Sequence, residues 1–232
     1  MPAESAADQK HATEPETGRP RTRRAVSEAD KSARREAILS AADRHFREVG
    51  FEKFSMEVLS RELEVARGTL YRYFSTREEL LLNLYQRQQQ QFVDRLIEAT
   101  GNGISDEAFL RRWYDLSLAD PTLIALRLRL TNVIEHNVNQ DLLVETKQAM
   151  SVDFERLCGH LSRVLELPRA QTEQLVVALL ALLLGAAQAD AAPRIDTSAL
   201  PTEAARIMAC FASETVFLGN AELILSGLRQ QS

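Results

Sequence analysis

The chain has 232 residues, long enough for one large domain or for a small domain joined to a larger one. With 45% hydrophobic and 26% charged residues it has the composition of an ordinary soluble globular protein. The net charge of −5 excludes a molecule that binds polyanions over its whole surface. The first 80 residues are neutral overall with local basic clusters, and the acidity lies beyond them.

The opening segment, "MPAESAADQKHATEPETGRPRTRRAVSEAD", has no periodic apolar pattern and holds three of the seven prolines. It is expected to be a disordered basic tail over 1–30, unable to bury a core. Arg19, Arg21, Arg23 and Arg24 form its densest positive run. That run reads either as solvated charge or as an arm that follows phosphates or enters a minor groove. No basic-plus-apolar signal peptide opens the chain, so a cytoplasmic location is expected. Cys158 and Cys210 lack CxxC spacing and sit in apolar surroundings, which predicts buried thiols in a reducing compartment.

From Ser32 the pattern becomes helical. Ala37, Ile38, Ala41, Ala42, Phe46 and Val49 recur three and four apart, and Gly50 stops the run. "FSMEVLSRELEV" begins a short helix with Ser55 as N-cap and Glu57 in the first turn. A break at Glu64-Val65 precedes "RGTLYRYF", residues 67–74. "STREELLLNLYQRQQQQF" then launches a long helix, with Ser75 and Glu78 read as a capping box. Helix, short helix, tight turn, short helix, long helix is a helix-turn-helix within a small bundle.

The stretch "ILSAADRHFREVGFEKFSMEVLSRELEVARGTLYRYFSTREELL" resembles the TetR (tetracycline-repressor-like) transcriptional regulators, most specifically in its G-T-L-Y-x-Y-F element. The resemblance implies an all-α fold: an N-terminal helix-turn-helix three-helix DNA-binding bundle over 31–76, joined by a long helix to a larger ligand-binding and dimerisation domain over 77–232. Three positions depart from the usual pattern. Glu64 stands where a turn glycine is common, Ala66 where a capping Ser is common, and Ser60 where Ala is common. Glu64 is expected either to adopt a strained turn geometry or to sit in a slightly different turn. The missing cap at Ala66 is expected to weaken the recognition helix by about 1 kcal/mol.

On a helix from about Arg67 to Tyr73, Leu70 and Phe74 face inward, leaving Arg67, Thr69, Tyr71 and Tyr73 for outer and flanking surfaces. Gly68 lets the helix N-terminus approach DNA. Arg67 suits a bidentate contact to guanine, and Thr69 and Tyr71 suit thymine methyls. Tyr73 and Arg77 match phosphate-contacting positions of the family, and Ser55, Arg34 and Arg35 are further candidates for the backbone. The alternative is that the aromatics are core and the arginines solvated.

The remaining chain carries no G-x-S-x-G turn and no phosphate-cradling glycine loop, so an enzyme is not expected. No cofactor is implied. Cys158 and His160 fall on different helix faces, so no metal site is expected there. Asp120-Pro121 is an N-cap and N1 pair opening "PTLIALRLRLTNVIEHN", and Asn139 caps a helix to about Glu166. After Pro168 comes the apolar run "LVVALLALLLGAA", residues 175–187. That run is too short for a membrane span, which needs roughly 20 residues. It should be buried on two sides, one of them against a second subunit. A loop over 190–200 contains Pro193, and Pro201 opens the last helical segment. The family resemblance implies a homodimer through the last two long helices, with Leu179, Leu183, Ala186 and Phe211 as interface candidates.

The same resemblance implies a cavity for a small hydrophobic effector among the middle helices. The candidate lining is Phe109, Trp113, Leu116, Leu123, Met150 and Phe154 with polar Arg127, Asn132 and His136, a mixture suited to a hydrophobic or amphipathic molecule. Two functions follow. The first is a repressor on a palindromic operator in double-stranded DNA, released by a small molecule. The second is a DNA-bound protein of the same fold that recruits a protein partner and has no inducer. An enclosed cavity favours the first and solid packing the second.

Overall fold

The computed structural model describes residues 21–190 and 200–231, and every regular element among them is helical. The chain divides into two compact units at Ala37/Ile38. Arg19 and Pro193 lie outside the described residues.

Helix α1 spans Arg21–Lys53 and so begins eleven residues before Ser32, where the sequence pattern becomes helical. The reason is helix cooperativity: once a helix exists, adding Arg, Ala, Glu and Lys to its end requires no new nucleus. The expected tail is therefore helical from Arg21. Gly50, at φ 72°, interrupts α1 in the left-handed region, and the last turn carries Phe51 and Glu52 in a new direction.

Helix α2 (Met56–Glu62) starts at Ser55, whose hydroxyl accepts from the Val58 amide at 3.5 Å. It ends with Glu64 at φ 53°. The Glu64 amide donates to the Arg61 carbonyl and the Val65 amide to the Ser60 carbonyl. These two bonds satisfy carbonyls that the helix end would leave open, and they hold a glutamate where glycine is the usual occupant. Ser60 is buried and donates to the Glu57 carbonyl at 2.8 Å, so the extra hydroxyl has a partner inside its own helix.

Helix α3 spans Arg67–Tyr73, as the octet predicts, and Ala66 supplies no side-chain cap. Helix α4 spans Arg77–Thr100. Its cap is Thr76, one residue later than expected: Thr76 Oγ1 accepts from the Glu79 amide at 3.0 Å, and Glu79 accepts from the Ser75 amide at 2.7 Å. Both Ser75 and Thr76 can cap. The pair Thr76 and Glu79 has the capping-box spacing that also puts Leu80 in the core, and burial decides the register.

The remaining helices are α5 (Asp106–Leu118), α6 (Pro121–Arg129), α7 (Gln140–Val164), α8 (Arg169–Asp190), α9 (Thr202–Cys210) and α10 (Ser213–Arg229). Asp120 caps α6 with Pro121 at N1, and Asn139 caps α7. After α6 the chain continues as a π-turn, Leu130–Ile134, and a short 3-10 turn, Glu135–Asn137. The segment after Pro201 is not one helix: it breaks at Phe211-Ala212, and α9 and α10 are bent by 54°. Helix α10 packs most extensively on α8, and also on α5, while α4 meets α5, α6 and α7.

Helix α8 is apolar and long enough to cross a membrane by composition, yet its Leu175, Val176, Leu179, Leu183 and Ala186 are buried against neighbouring helices. Both cysteines are free thiols. Cys158 is buried, and burial pushes its thiol up to about 11. Cys210 is exposed, contrary to expectation, because α9 buries none of its residues.

Candidate functional site

The aromatic octet divides along its helix. Leu70 and Phe74 are fully buried beneath α3. Arg67, Gly68, Tyr71 and Arg72 are exposed, while Thr69 and Tyr73 are half-buried on its flanks. The Arg67 guanidinium lies 5.7 Å from the Tyr71 ring centroid, so a cation and an aromatic face form one outward patch. A Cβ added at Gly68 would meet nothing within 4 Å, which leaves the N-terminal end of the helix unobstructed. Tyr73 packs part of its ring against the core. Arg72, which sequence reasoning passed over, is exposed with its guanidinium 5.9 Å from the Tyr73 centroid. Its position one residue from Tyr71 on a helix with a single buried side chain was the available signal.

Arg77 is placed differently from a free surface cation. Its Nη2 donates to the Phe51 carbonyl, its Cζ lies 4.6 Å from the Phe51 centroid, and Nη1 sits 3.4 Å from Glu78. The side chain ties the start of α4 to the last turn of α1. Arg34 is exposed and Arg35 half-buried on α1, and Ser55 is half-buried at the start of α2. His45, Glu48 and Glu62 bring their ligand atoms within 4.8 Å of one another, a grouping the sequence analysis did not single out.

A second site lies among the C-terminal helices. Tyr85, Gln89, Phe92 and Val93 of α4, Trp113 of α5, Met150, Phe154 and Leu157 of α7, and Val176 and Leu180 of α8 enclose a cavity of about 90 Å³. Trp113, Met150 and Phe154 are thus brought together as expected. The contributions of α4 and α8 were missed, although Tyr85, Gln89, Phe92 and Val93 have the i, i+4, i+7, i+8 spacing of one helix face. Phe109 and Leu123 are fully buried and Leu116 half-buried, but none of the three lines the cavity; the Phe109 ring lies 5.9 Å from that of Trp113.

Arg127 is buried behind that wall. It donates to Gln89 Oε1, and its Cζ lies 5.0 Å from the Phe92 centroid. Burial pushes its guanidinium below its ordinary range, with the Tyr85 hydroxyl acting in the opposite direction. Asn132 and His136 do not reach the cavity. In the π-turn Leu130 and Ile134, four apart, take the inward positions, and residues two further on fall on the exposed side. A larger, open depression of about 820 Å³ between α5 and α10 is walled by Asp106, Glu107, Arg111 and Glu222. Its charged, solvent-open walls suit an apolar guest less well than the enclosed cavity does.

The two sites are joined by α6. Arg47 of α1 donates to Asp120, the α6 cap, at 2.8 Å, and Thr122 donates to Asp43 at 3.0 Å. At the other end of α6, Arg129 reaches Glu52 at 3.3 Å and lies 5.4 Å from the Phe51 centroid. Helix α6 is therefore held to α1 at both termini while Arg127 between them abuts the cavity wall.

The interface candidates Leu179, Leu183 and Ala186 are at most 1% exposed within the chain itself. They lie on the side of α8 that is buried within its own subunit, where α8 packs on α10, α7 and α6. The outer stripe of α8 is Gln174, Val177, Ala181, Gly185 and Gln188, all exposed, with Leu223 exposed on α10. Phe211 is exposed.

The sequence pattern described as "Bacterial regulatory proteins, tetR family" matches residues 38–84, and "Tetracyclin repressor-like, C-terminal domain" matches 86–231. The chain belongs to the TetR family. The two family patterns meet inside α4, the helix that carries both Arg77 and the cavity residues. Over 61 residues the chain is 31% identical to the fatty acid metabolism regulator protein of Bacillus subtilis (strain 168). That match spans 26% of this chain and 31% of the relative. A transcriptional regulator from Rhodococcus sp. Rha1 is similar in structure, with TM-score 0.55, 16% identity, and coverage of 85% of this chain and 96% of that one. FadR from Bacillus subtilis in complex with stearoyl-CoA gives TM-score 0.50, 20% identity, and coverage of 82% and 97%. At these identities the structural likeness is one of fold. With its helix-turn-helix, this TetR-family member is a DNA-binding transcriptional regulator.

Proposed function

We propose that the protein is a cytoplasmic homodimeric repressor, not an enzyme, that binds a palindromic operator and is released from it by a hydrophobic or amphipathic small molecule. The observation that carries this reading is α6, bonded to α1 at both ends and pressed against the cavity through Arg127. A guest can weaken DNA binding only if it prefers one arrangement of the DNA-reading heads over another. Filling the cavity displaces the wall that Arg127 rests on, and α6 cannot move without pulling on α1. On the DNA side, Arg67, Thr69 and Tyr71 are the base-reading candidates, Gly68 leaves the helix end open, and Ser55, Tyr73, Arg34 and Arg35 are candidates for the phosphate backbone. The similarity to a relative named for fatty acid metabolism agrees with an amphipathic effector.

The second reading, partner recruitment without an inducer, is favoured by cavity size. At about 90 Å³ the space is well below the roughly 300 Å³ where small-molecule pockets begin. The first reading therefore requires the cavity to open on binding, chiefly by movement of Met150 and Phe154. The test is to sequence the genomic DNA that the purified protein retains, then titrate acyl, aromatic and planar compounds against the preformed complex. Dissociation by one class supports induced release. Persistence of the complex with every compound, and unchanged Trp113 fluorescence throughout, transfers the case to partner recruitment.

A further inference from the structure

We propose that the cavity bounded by α4, α5, α7 and α8 selects a ligand with a carboxylate head on an apolar body, the carboxylate being received by Arg127 and Trp113. This rests on the ligand-responsive reading above and specifies its chemistry.

Arg127 is 7% exposed, and among the described residues no carboxylate pairs with it. Its Nη2 donates to the neutral Gln89 amide, whereas Nη1 is buried with no hydrogen-bond partner. Trp113, which lines the cavity, has its Nε1 buried and likewise without an acceptor. Both groups flank one ring: the Arg127 Cζ is 5.0 Å and the Trp113 ring 5.5 Å from the Phe92 centroid. A buried guanidinium held only by the neutral Gln89 and Tyr85, and a second unused donor beside the same ring, are groups that a carboxylate would pair with. A buried charge with no partner destabilises a fold, whereas one that awaits a counter-ion is a common property of binding sites. Beyond Tyr85, whose hydroxyl favours the Arg127 charge, the rest of the lining (Val93, Met150, Phe154, Leu157, Val176 and Leu180) is apolar and suits a hydrocarbon body. Gln89 completes the arrangement, because its amide can give up Arg127 when a stronger acceptor arrives.

The experiment uses full-length protein without DNA and four probes of equal chain length: octanoate, 1-octanol, methyl octanoate and octylamine. Binding is read by fluorescence of Trp113, the single tryptophan, and by thermal shift. Octanoate is expected to bind about tenfold or more tightly than the alcohol or ester, the ratio a charge-assisted hydrogen bond provides, and octylamine not at all. Arg127→Met should abolish this preference, and Arg127→Lys should retain part of it. Without ligand, Arg127→Met should melt no lower than the unaltered protein, since it removes an isolated buried charge. Equal binding of octanol and octanoate overturns the proposal, as does a preference that survives Arg127→Met. A large drop in the melting temperature of Arg127→Met also overturns it, by showing that the guanidinium supports the core. Operator release is scored separately. If neutral octanol releases DNA as well as octanoate, induced release stands and the carboxylate site falls. If the Arg127-dependent preference holds while the operator complex persists, the site stands and induced release falls.

Discussion

Arg67 and Tyr71 stand together on the exposed face of α3, whereas Arg77, ten residues after Arg67, is folded back onto Phe51. These placements predict different losses. Base-edge contacts carry sequence information at roughly 1–3 kcal/mol each, and contacts that only position the head carry none. Arg67→Ala and Tyr71→Ala should reduce the ratio of operator to random-sequence affinity. Arg77→Ala should weaken both DNAs alike by loosening the junction of α1 and α4. Fluorescence anisotropy on the two DNAs at one salt concentration measures this, and equal losses for Arg67→Ala would assign it to the phosphate backbone. The departures at the turn give a second expectation. Ala66→Ser supplies the absent α3 cap and should stabilise the protein by about 1 kcal/mol in chemical denaturation. Glu64→Gly relieves a left-handed φ of 53°, but it also frees the unfolded chain, so its gain should be smaller. No gain from Ala66→Ser would mean that the first-turn amides of α3 are already satisfied.

At the scale of elements, α6 is the short helix on which the two sites depend. Asp120 caps it with bonds from the Thr122 amide at 2.9 Å and the Leu123 amide at 3.3 Å, and the same carboxylate receives Arg47. Removing a cap costs about 1 kcal/mol, and a partly buried charge pair adds to it. Asp120→Ala should therefore destabilise by about 2 kcal/mol. In a cycle with Arg47→Ala the two losses should fall short of additivity by at least about 0.5 kcal/mol, as for residues in direct contact. If α6 transmits the effector signal, Arg47→Ala should also blunt operator release by ligand while leaving ligand affinity nearly unchanged. Full additivity, with release unaltered, would remove α6 from the coupling.

For the whole molecule, the last two long helices, α8 and α10, expose large apolar side chains at Val177, 57% exposed, and Leu223, 72% exposed, among other exposed apolar residues such as Val152 of α7. The flanking Ala181 and Gly185 permit close approach of a second helix pair, and a two-fold arrangement is the commonest way to close such a surface. Val177→Arg with Leu223→Arg should yield a folded monomer in analytical ultracentrifugation, with operator affinity lost. Leu179→Arg and Leu183→Arg should instead prevent folding, because both residues lie in the subunit's own core. A double variant at Val177 and Leu223 that remains dimeric would move the interface elsewhere, with exposed Ile207 and Met208 of α9 and Phe211 just after it as the next surface to test.

What is local was legible in the order of residues along the chain. Apolar spacing identified α1 to α3, and Asp120, Pro121 and Asn139 marked the starts of α6 and α7. The octet's division into Leu70 and Phe74 inside and Tyr71 outside followed from helix geometry. Helix periods and caps depend on residues three or four apart, so a one-dimensional reading can see them. The choice between Ser75 and Thr76 as cap was not legible, since either can bond and only the burial of Leu80 selects the register. Nor was the turn of Asn132 and His136 away from the cavity, which a π-turn sets through the core's claim on Leu130 and Ile134. Which side of α8 faces its own subunit was equally hidden, because residues 175–187 are apolar all round and only Gln174 and Gln188 beyond their ends lie on the exposed side. Only tertiary packing decided that Leu179 and Leu183 lie within and Val177 without. Packing alone also placed Arg127 beside Gln89 and Phe92, thirty-eight and thirty-five residues away in the chain. Its significance lies in what surrounds it, and contacts between distant segments leave no periodic trace in the sequence.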